Sequence, residues 1–319
     1  MRRHIAVDAG KYATKSAVRR CGDKPEKVDS FLTRMDESDI DFGSLSSGKN
    51  FAVAFDGKKY RIGDSASHDS FVETKTEDIH KICTYTAISQ FADNGDEVIL
   101  GVGCPLSIFI NPTARNEYAK FMKGDGDVSI MVNGILHNFT IKSVSVFPES
   151  SGVVYLGFDR YRTSSVGVID CGGLDTNCAV YNNLMPQLST LFTARLGGKV
   201  MRKALLDLLN TKLGLEVPIQ DYQMDEILKN GYVMNRRFPE KENLSRKLIS
   251  EYKRTYVQEI YDSCVKHGWS LDTIPLVFVG GTALALKNEI QSIFGVDNDS
   301  FFEDSEFLNV KGFLRALPN

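Results

Sequence analysis

Apolar residues in this chain fall into short continuous blocks, alternating with longer segments in which they recur every three to four positions. The first pattern predicts strands buried on both faces and the second predicts helices packed by one side, so their interleaving reads as an α/β protein. Ile5 to Ala9, a tight turn at Gly10, and Ala13 to Val18 form a strand pair, and Val28 to Thr33 a third strand. Phe51 to Phe55 and Lys58 to Ile62 flank Asp56-Gly57, a dipeptide that accepts positive φ and so predicts a hairpin. Before this hairpin, the stretch from Asp36 to Lys49 is rich in Asp, Ser and Gly and reads as a loop. Asp78 to Ala92 predicts a helix with Ile79, Ile82, Cys83, Thr86, Ala87 and Gln90 on one face. An apolar strand, Glu97 to Cys104, precedes a helix that opens at Asn111-Pro112, with Pro in the first position, and runs to Lys123. Val128 to Val132 and Ile135 to Ile141 make a hairpin around Asn133-Gly134, and Val144 to Phe147 a short strand.

The second half repeats the opening design. Val166 to Asp170 is an apolar strand, Cys171 to Asp175 a turn, and Thr176 to Val180 a second strand. A further strand is expected over Gln187 to Phe192, then a helix opening at Arg195-Leu-Gly-Gly-Lys199 and running to Leu213. Asp221 to Asn230 is a shorter helix. Glu240 to Lys266 is a long one, with Leu244, Leu248, Ile249, Tyr252, Tyr256, Ile260 and Cys264 spaced for one apolar face. Ile274 to Val279 is a buried strand leading through Gly280-Gly281-Thr282-Ala283 into a helix that ends at Phe294, and Phe313 to Leu317 closes the chain as an amphipathic helix.

A length of 319 residues accommodates two domains, and a net charge of −3 supplies no basic excess for direct nucleic-acid binding. The chain passes from Met-Arg-Arg-His straight into a strand, without an apolar run of signal-peptide or membrane-spanning length, so a cytoplasmic location without membrane contact is expected. Six scattered cysteines form no C-x-x-C pair, which argues against a zinc site or a disulfide framework. The five histidines, His80 among them, are expected on surfaces or in turns.

The chemistry concentrates at the two strand-turn-strand units. In each, a carboxylate (Asp8, Asp170) closes an apolar strand and a glycine turn follows, an arrangement that offers backbone N–H groups to phosphate oxygens and a carboxylate to a hydrated divalent cation. Neither is a Walker loop or a dinucleotide fingerprint. Either turn alone reads equally as an ordinary hairpin; the pair points to a duplicated fold with phosphates held between its halves. Glu149, in Pro148-Glu-Ser-Ser-Gly152, reads either as a helix N-terminus or as a carboxylate able to orient a water. Gly197, Gly198 and Lys199 read either as an approachable helix start or as a plain loop, and Gly280-Gly281 either as backing for a flat base or as close helix-strand packing.

In this order the stretches resemble the actin-like ATPase superfamily, which includes actin, chaperone ATPase domains and sugar kinases. Asp8, Gly10 and Lys15 match its first phosphate motif, Asp170, Gly172 and Gly173 its second, and Pro148 to Gly152 its first connecting motif. Gly280 to Ala283 match the adenosine motif, and Asn309 to Gly312 the second connecting motif. The resemblance implies an α/β actin-like, ribonuclease H-like duplicated fold with a nucleotide cleft. Its first domain would span residues 1–163, completed by about 304–319, and its second 164–303. Chain length and the run Phe307 to Phe313 look most like the plasmid-segregation actins of the ParM group. That likeness implies binding of ATP or GTP with Mg²⁺, a homopolymeric filament that hydrolyses nucleotide, and a ParR-like DNA-binding adaptor. It implies that Asp8 and Asp170 hold the Mg²⁺ shell through waters and that Glu149 positions the attacking water. Lys15 would neutralise phosphate charge, with Gly10, Lys11, Tyr12, Gly172, Gly173, Leu174, Asp175, Gly197, Gly198 and Lys199 along the nucleotide, and Gly280, Gly281 and Thr282 at the base. Leu174-Asp175 departs from the small hydroxyl residues the family more often carries there. A small-molecule kinase on the same fold is the alternative; the chain leaves little room for a substrate subdomain. A membrane-associated actin would call for a basic amphipathic tail, which neither end supplies.

Overall fold

The computed structural model describes residues 1–19, 27–39, 49–70 and 75–318; most of the loop expected over 36–49, and Cys21, lie outside them. The chain divides into two compact units: Met1–Ser165 with Tyr181–Leu188 and Asp304–Asn319, and Val166–Val180 with Ser189–Glu303.

The first unit is built on β1 (Arg2–Ala9), β2 (Ala13–Arg19), β3 (Lys27–Leu32), β4 (Met35–Glu37), β5 (Asn50–Phe55), β6 (Lys58–Gly63), β7 (Asp96–Cys104), β8 (Asp127–Val132) and β9 (Ile135–Pro148). Among the described residues these form one sheet in the order β3-β2-β1-β7-β9-β8-β5-β6-β4. Its centre is parallel, with Val7 beside Val102 and Val102 beside Val146, and its flanks are antiparallel hairpins. Its helices are α1 (Asp78–Ser89), α2 (Leu106–Phe109), α3 (Pro112–Lys123), α4 (Gly152–Leu156) and α5 (Phe158–Tyr161).

The central strands carry large residues on one face and small ones on the other. Ile5, Val7, Leu100 and Val102 pack with Ile82, Ile88, Tyr118 and Met122 of α1 and α3. Ala6 and Ala17 instead meet Phe313, Leu314 and Leu317 of the C-terminal helix, Leu308–Ala316, and the residue that follows it. Gly101 belongs to this second face, where a Cβ would stand 3.1 Å from Phe147 and 3.3 Å from Leu317. Small side chains thus let a helix approach close enough to bury its apolar stripe.

Three local expectations are corrected here. The separate strand over Val144–Phe147 is part of the single long β9, continuous through a bulge that skips Lys142 opposite Val98/Ile99. Helix α1, packed on β1, β2, β5 and β8, is buried almost all round, His80, Thr84 and Thr86 included; the hydroxyls of Thr84 and Thr86 bond back to His80 O at 2.7 Å and Ile82 O at 2.8 Å. His80 is fully buried, not at a surface.

Asp96 ties the start of the sheet together. It accepts from Arg3 Nε and the Met1 ammonium, each at 2.6 Å, and from Asp93 N at 2.9 Å. Burial alone would raise its carboxyl, but these donors hold it down at about 2. A folded-state pKa below the unfolded value contributes stability above pH 4 that is lost as pH falls toward 2. Asp96→Asn is therefore expected to lower the melting temperature at pH 7, with the gap to wild type closing as pH drops through that window. A gap unchanged between pH 7 and pH 3 in paired thermal melts would remove the carboxylate from this role.

The second unit holds β10 (Ser165–Cys171) from Val166 on, β11 (Thr176–Asn182) as far as Val180, β13 (Phe192–Ala194) and β14 (Leu276–Val279); the end of β11, Tyr181–Asn182, pairs with β12 (Met185–Pro186) within the first unit. β10 and β14 run parallel, Asp170 beside Val279. No strand spans Gln187–Phe192: a 3₁₀ turn occupies Leu188–Thr190, and the Thr190 hydroxyl accepts from Val180 N at 3.2 Å, taking the place of a ladder bond. Helices α6 (Gly198–Leu213), α7 (Met224–Asn230), α8 (Pro239–Lys266), α9 (Gly281–Ala285) and α10 (Lys287–Phe294) follow. The C-terminal half of α8 packs Val257, Ile260 and Cys264 with Ile169 and Phe278 of the sheet, while Ile249 joins Leu205, Leu209 and Met224 in a separate helical core. Leu244, expected on the apolar face, is exposed; its neighbour Ser245 is buried instead, accepting from Val233 N at 2.9 Å and donating to Glu242 O at 2.7 Å.

Candidate functional site

In the first unit Asp8 closes β1 and stands directly opposite Lys15 across the β1-β2 pair. The turn between them is closed by Gly10 N donating to Ala13 O at 3.1 Å, and a Cβ on Gly10 would stand only 3.0 Å from that oxygen. Lys11 and Tyr12 complete the turn, the Tyr12 side chain exposed and its carbonyl accepting from Thr33 N at 3.0 Å. Asp8 itself is 8% exposed. Gly103 of β7 makes room for it: a Cβ there would lie 2.9 Å from Asp8 Oδ1 and 3.0 Å from Phe313.

Glu149 follows the last residue of β9 and is anchored by its N–H donating to Cys104 O at 2.9 Å. Helix α4 begins only at Gly152, so Glu149 is not one of its first-turn residues. The next residue, Ser150, is buried at φ +70° and its hydroxyl lies 3.2 Å from that of Tyr181. A non-glycine residue in this region is uncommon and fixes the direction in which the chain leaves β9.

The residue that joins these two carboxylates has no signature in the sequence. Lys75 precedes α1; its side chain is 2% exposed, with Nζ 3.3 Å from Asp8 Oδ1 and in an ion pair with Glu149 Oε1. Burial by itself would drive the proton off this ammonium, but Glu149 and Asp8 outweigh it and hold Lys75 charged, above its ordinary range. The same site acts oppositely on His80. Its Nδ1 lies 3.1 Å from Ala9 O, and burial followed by the Lys75 charge push the imidazole down to about 3, so it is neutral.

The second unit gathers its own set. Asp170 closes β10 and is 8% exposed. Gly172 N donates to Asp175 O at 2.9 Å, forming the turn that carries Gly173 and Leu174. This turn accepts the first amides of α6: Gly198 N donates to Gly172 O at 3.0 Å and Lys199 N to Gly173 O at 2.7 Å. Thr282 Oγ1 also donates to Gly172 O, at 2.9 Å. Asp170, Gly172, Gly173, Leu174, Asp175, Gly197, Gly198, Lys199, Gly280 and Thr282 are therefore one contiguous structure, although they come from three separate stretches of sequence. The α6 start packs against the turn, which occupies its leading N–H groups. Gly197 and Gly198 have packing reasons as well: a Cβ would overlap the Leu174 backbone at the first and Thr282 Oγ1 at the second. Gly280, at φ +91°, passes so close to the Cys171 carbonyl that a Cβ could not fit, whereas Gly281 faces open space. Cys171 is buried and its thiol is pushed up to about 12 by burial first and Asp170 second, so it stays protonated.

Among the described residues no three or more His, Cys, Asp or Glu side chains gather as a metal cage. What the first unit does offer is hard oxygen donors already holding a cation, the Lys75 ammonium between Asp8 and Glu149. That donor set suits Mg²⁺, which is typically held by one or two carboxylates together with substrate phosphates.

Residues 6–152 match the family described as the actin-like proteins' N-terminal domain, a span that takes in Asp8, Lys15, Lys75 and Glu149. Over 99% of this chain and 98% of the other, the fold also matches the Alp12 filament structure, with 28% identity and a TM-score of 0.74. The chain has an actin-like fold, and its residues 6–152 match an actin-like N-terminal domain. The actin-like fold extends to more distant proteins. An archaeal actin homolog, Ta0583, in complex with ADP matches with 17% identity over 98% of each chain and a TM-score of 0.73. A subunit of a 15-stranded ParM filament from Clostridium botulinum matches with 15% identity over 98% of each chain, also with a TM-score of 0.73. No curated protein matches the chain in sequence. Among the described residues, no helix is long and apolar enough to cross a membrane.

Proposed function

We propose that this protein is a nucleotide-driven filament former that binds ATP or GTP with Mg²⁺, hydrolyses it in the assembled state and segregates plasmid DNA through a ParR-like adaptor. The observation that carries the reading is the full-length likeness to a filament structure at 28% identity. The ADP complex of a more distant homolog supports the nucleotide. In this reading Asp8 and Asp170 hold the Mg²⁺ shell, and the cation, when bound, supplies charge neutralisation at the phosphates. Lys15, opposite Asp8, adds a second positive charge, and the Gly10 and Gly172-Gly173 turns line the phosphates. Glu149, held by its backbone bond to Cys104, orients the attacking water and accepts its proton. Gly281, open on the side where a Cβ would stand, lies against the base.

The test is right-angle light scattering of the pure protein after Mg-ATP or Mg-GTP is added, with phosphate release followed in the same sample. Scattering is expected to rise on addition and decay as phosphate appears. Flat scattering well above micromolar protein, with hydrolysis that requires an added metabolite, would assign the chain to small-molecule phosphoryl transfer instead.

A further inference from the structure

The ion pairs around Lys75 carry an inference about how a cation enters the site, and it rests on the nucleotide reading above. Asp8, on β1, and Glu149, just past the end of β9, approach the same ammonium, and their side chains are 11% and 13% exposed. Two carboxylates this sheltered would hold a divalent cation well if nothing neutralised them, since Mg²⁺ and Mn²⁺ take such oxygens readily. Lys75 already supplies a positive charge at that point, from a side chain that solvent does not reach. Its backbone is constrained too, at φ +51° for a residue with a long side chain, so the ammonium is placed by the fold and does not swing in from outside.

We propose that Lys75 is a resident counter-ion that keeps the Asp8-Glu149 pair closed to a bare divalent cation, so that a cation gains hold at Asp8 only when nucleotide phosphates accompany it. The lysine ammonium, paired with both side chains, offsets the repulsion between the two carboxylates. A bare cation arriving there meets a fixed ammonium, whereas a cation carried on phosphates brings compensating negative charge. Lys75 is on this account a positioning residue, acting through Asp8 and Glu149.

The experiment measures Mn²⁺ binding without nucleotide, from the loss of the free-ion electron paramagnetic resonance signal. Wild type is expected to show no specific site below about 1 mM Mn²⁺, and Lys75→Met a single site at least about ten-fold tighter, because the variant takes one positive charge away from two neighbouring carboxylates. The double variant Lys75→Met/Glu149→Gln should lose that gain. A folded Lys75→Met that binds Mn²⁺ no better than wild type would overturn the proposal and leave Lys75 a structural ion-pair partner, detectable only as a lower melting temperature. Lys75→Gln, which keeps a hydrogen-bond donor, is measured alongside in case the methionine variant does not fold. Wild type is decisive by itself in one direction: a site for Mn²⁺ alone below about 100 μM would also overturn the proposal. A separate titration of wild type with Mg-ATP and Mg-GTP tests the nucleotide reading, which can fail while the Mn²⁺ result stands.

Discussion

Replacing Glu149 with Gln is expected to cut nucleotide hydrolysis by about two orders of magnitude or more, the usual scale for losing a group that accepts a proton from water. On the proposed function, nucleotide affinity should hold within a few-fold and filaments should outlast those of wild type. The selectivity follows from how Glu149 is held. Its position depends on a backbone bond to Cys104 O at 2.9 Å and on the conformation of Ser150, neither of which involves the carboxylate. Gln keeps the side-chain shape, and Lys75 retains Asp8 as a partner at 3.3 Å, so no charge is left buried and alone. Glu149→Ala removes the same oxygen but leaves a gap beside a buried ammonium, so it should also lower the melting temperature. Phosphate release and sedimentation in the same sample check both variants. Hydrolysis by Glu149→Gln at the wild-type rate would remove this residue from the chemistry.

The elements that sequence made legible are those whose pattern is local. The β1-β2 and β5-β6 hairpins announce themselves by an apolar strand, a turn dipeptide and a second strand, and α8 by a long periodic face. What the pattern could not carry is which face meets what. Ile5, Ala6 and Val7 are all apolar, yet Ile5 and Val7 pack with α1 and α3 while Ala6 receives the C-terminal helix; only the partners distinguish them. Helix α1 reads as one-sided because His80 and Thr84 off that face are polar, but the Thr84 hydroxyl donates to a backbone carbonyl and His80 Nδ1 lies against another, and both are buried. The same limit applies at the site. The glycine turns were legible because glycine spacing is a sequence property. Lys75 was not, since a lysine in a polar segment is normally solvated, and its burial depends on Asp8 and Glu149, both distant in sequence. Gly103 escaped for a related reason: a glycine inside an apolar strand carries no mark of the carboxylate that will lie against it.

Gly312→Val should destabilise the first unit more than any exposed substitution on the same helix. Gly312 lies inside the C-terminal helix, where glycine costs about 1 kcal/mol relative to alanine, so its presence needs a packing reason. That reason is Gly152. A Cβ on Gly312 would overlap the Gly152 carbonyl and Cα, and a Cβ on Gly152 would overlap Leu308 O and the Asn309 backbone. The two segments that resemble the superfamily's connecting motifs thus meet backbone to backbone. No flexible side chain stands between them to move aside, so any added carbon must push the helix outward. Outward movement would loosen the Phe147-Phe313 stack, whose ring centroids are 5.2 Å apart, and withdraw Leu317 from Gly101. Overpacking of this kind costs about 1–3 kcal/mol where neighbours can yield, and here they are backbone, so the upper end or more is expected for Val. In a unit of this size that corresponds to a fall of roughly 10 °C in melting temperature. Gly312→Ala should fall part of the way, its better helix propensity offsetting some of the overlap. Lys311→Ala on the adjacent position breaks only the Lys311-Asp304 ion pair at 2.6 Å, in which Asp304 is largely exposed, and should cost under about 1 kcal/mol. Thermal melts of the three variants decide the matter: a Gly312→Val protein that melts with Lys311→Ala would mean that the contact with Gly152 does not set the position of the C-terminal helix.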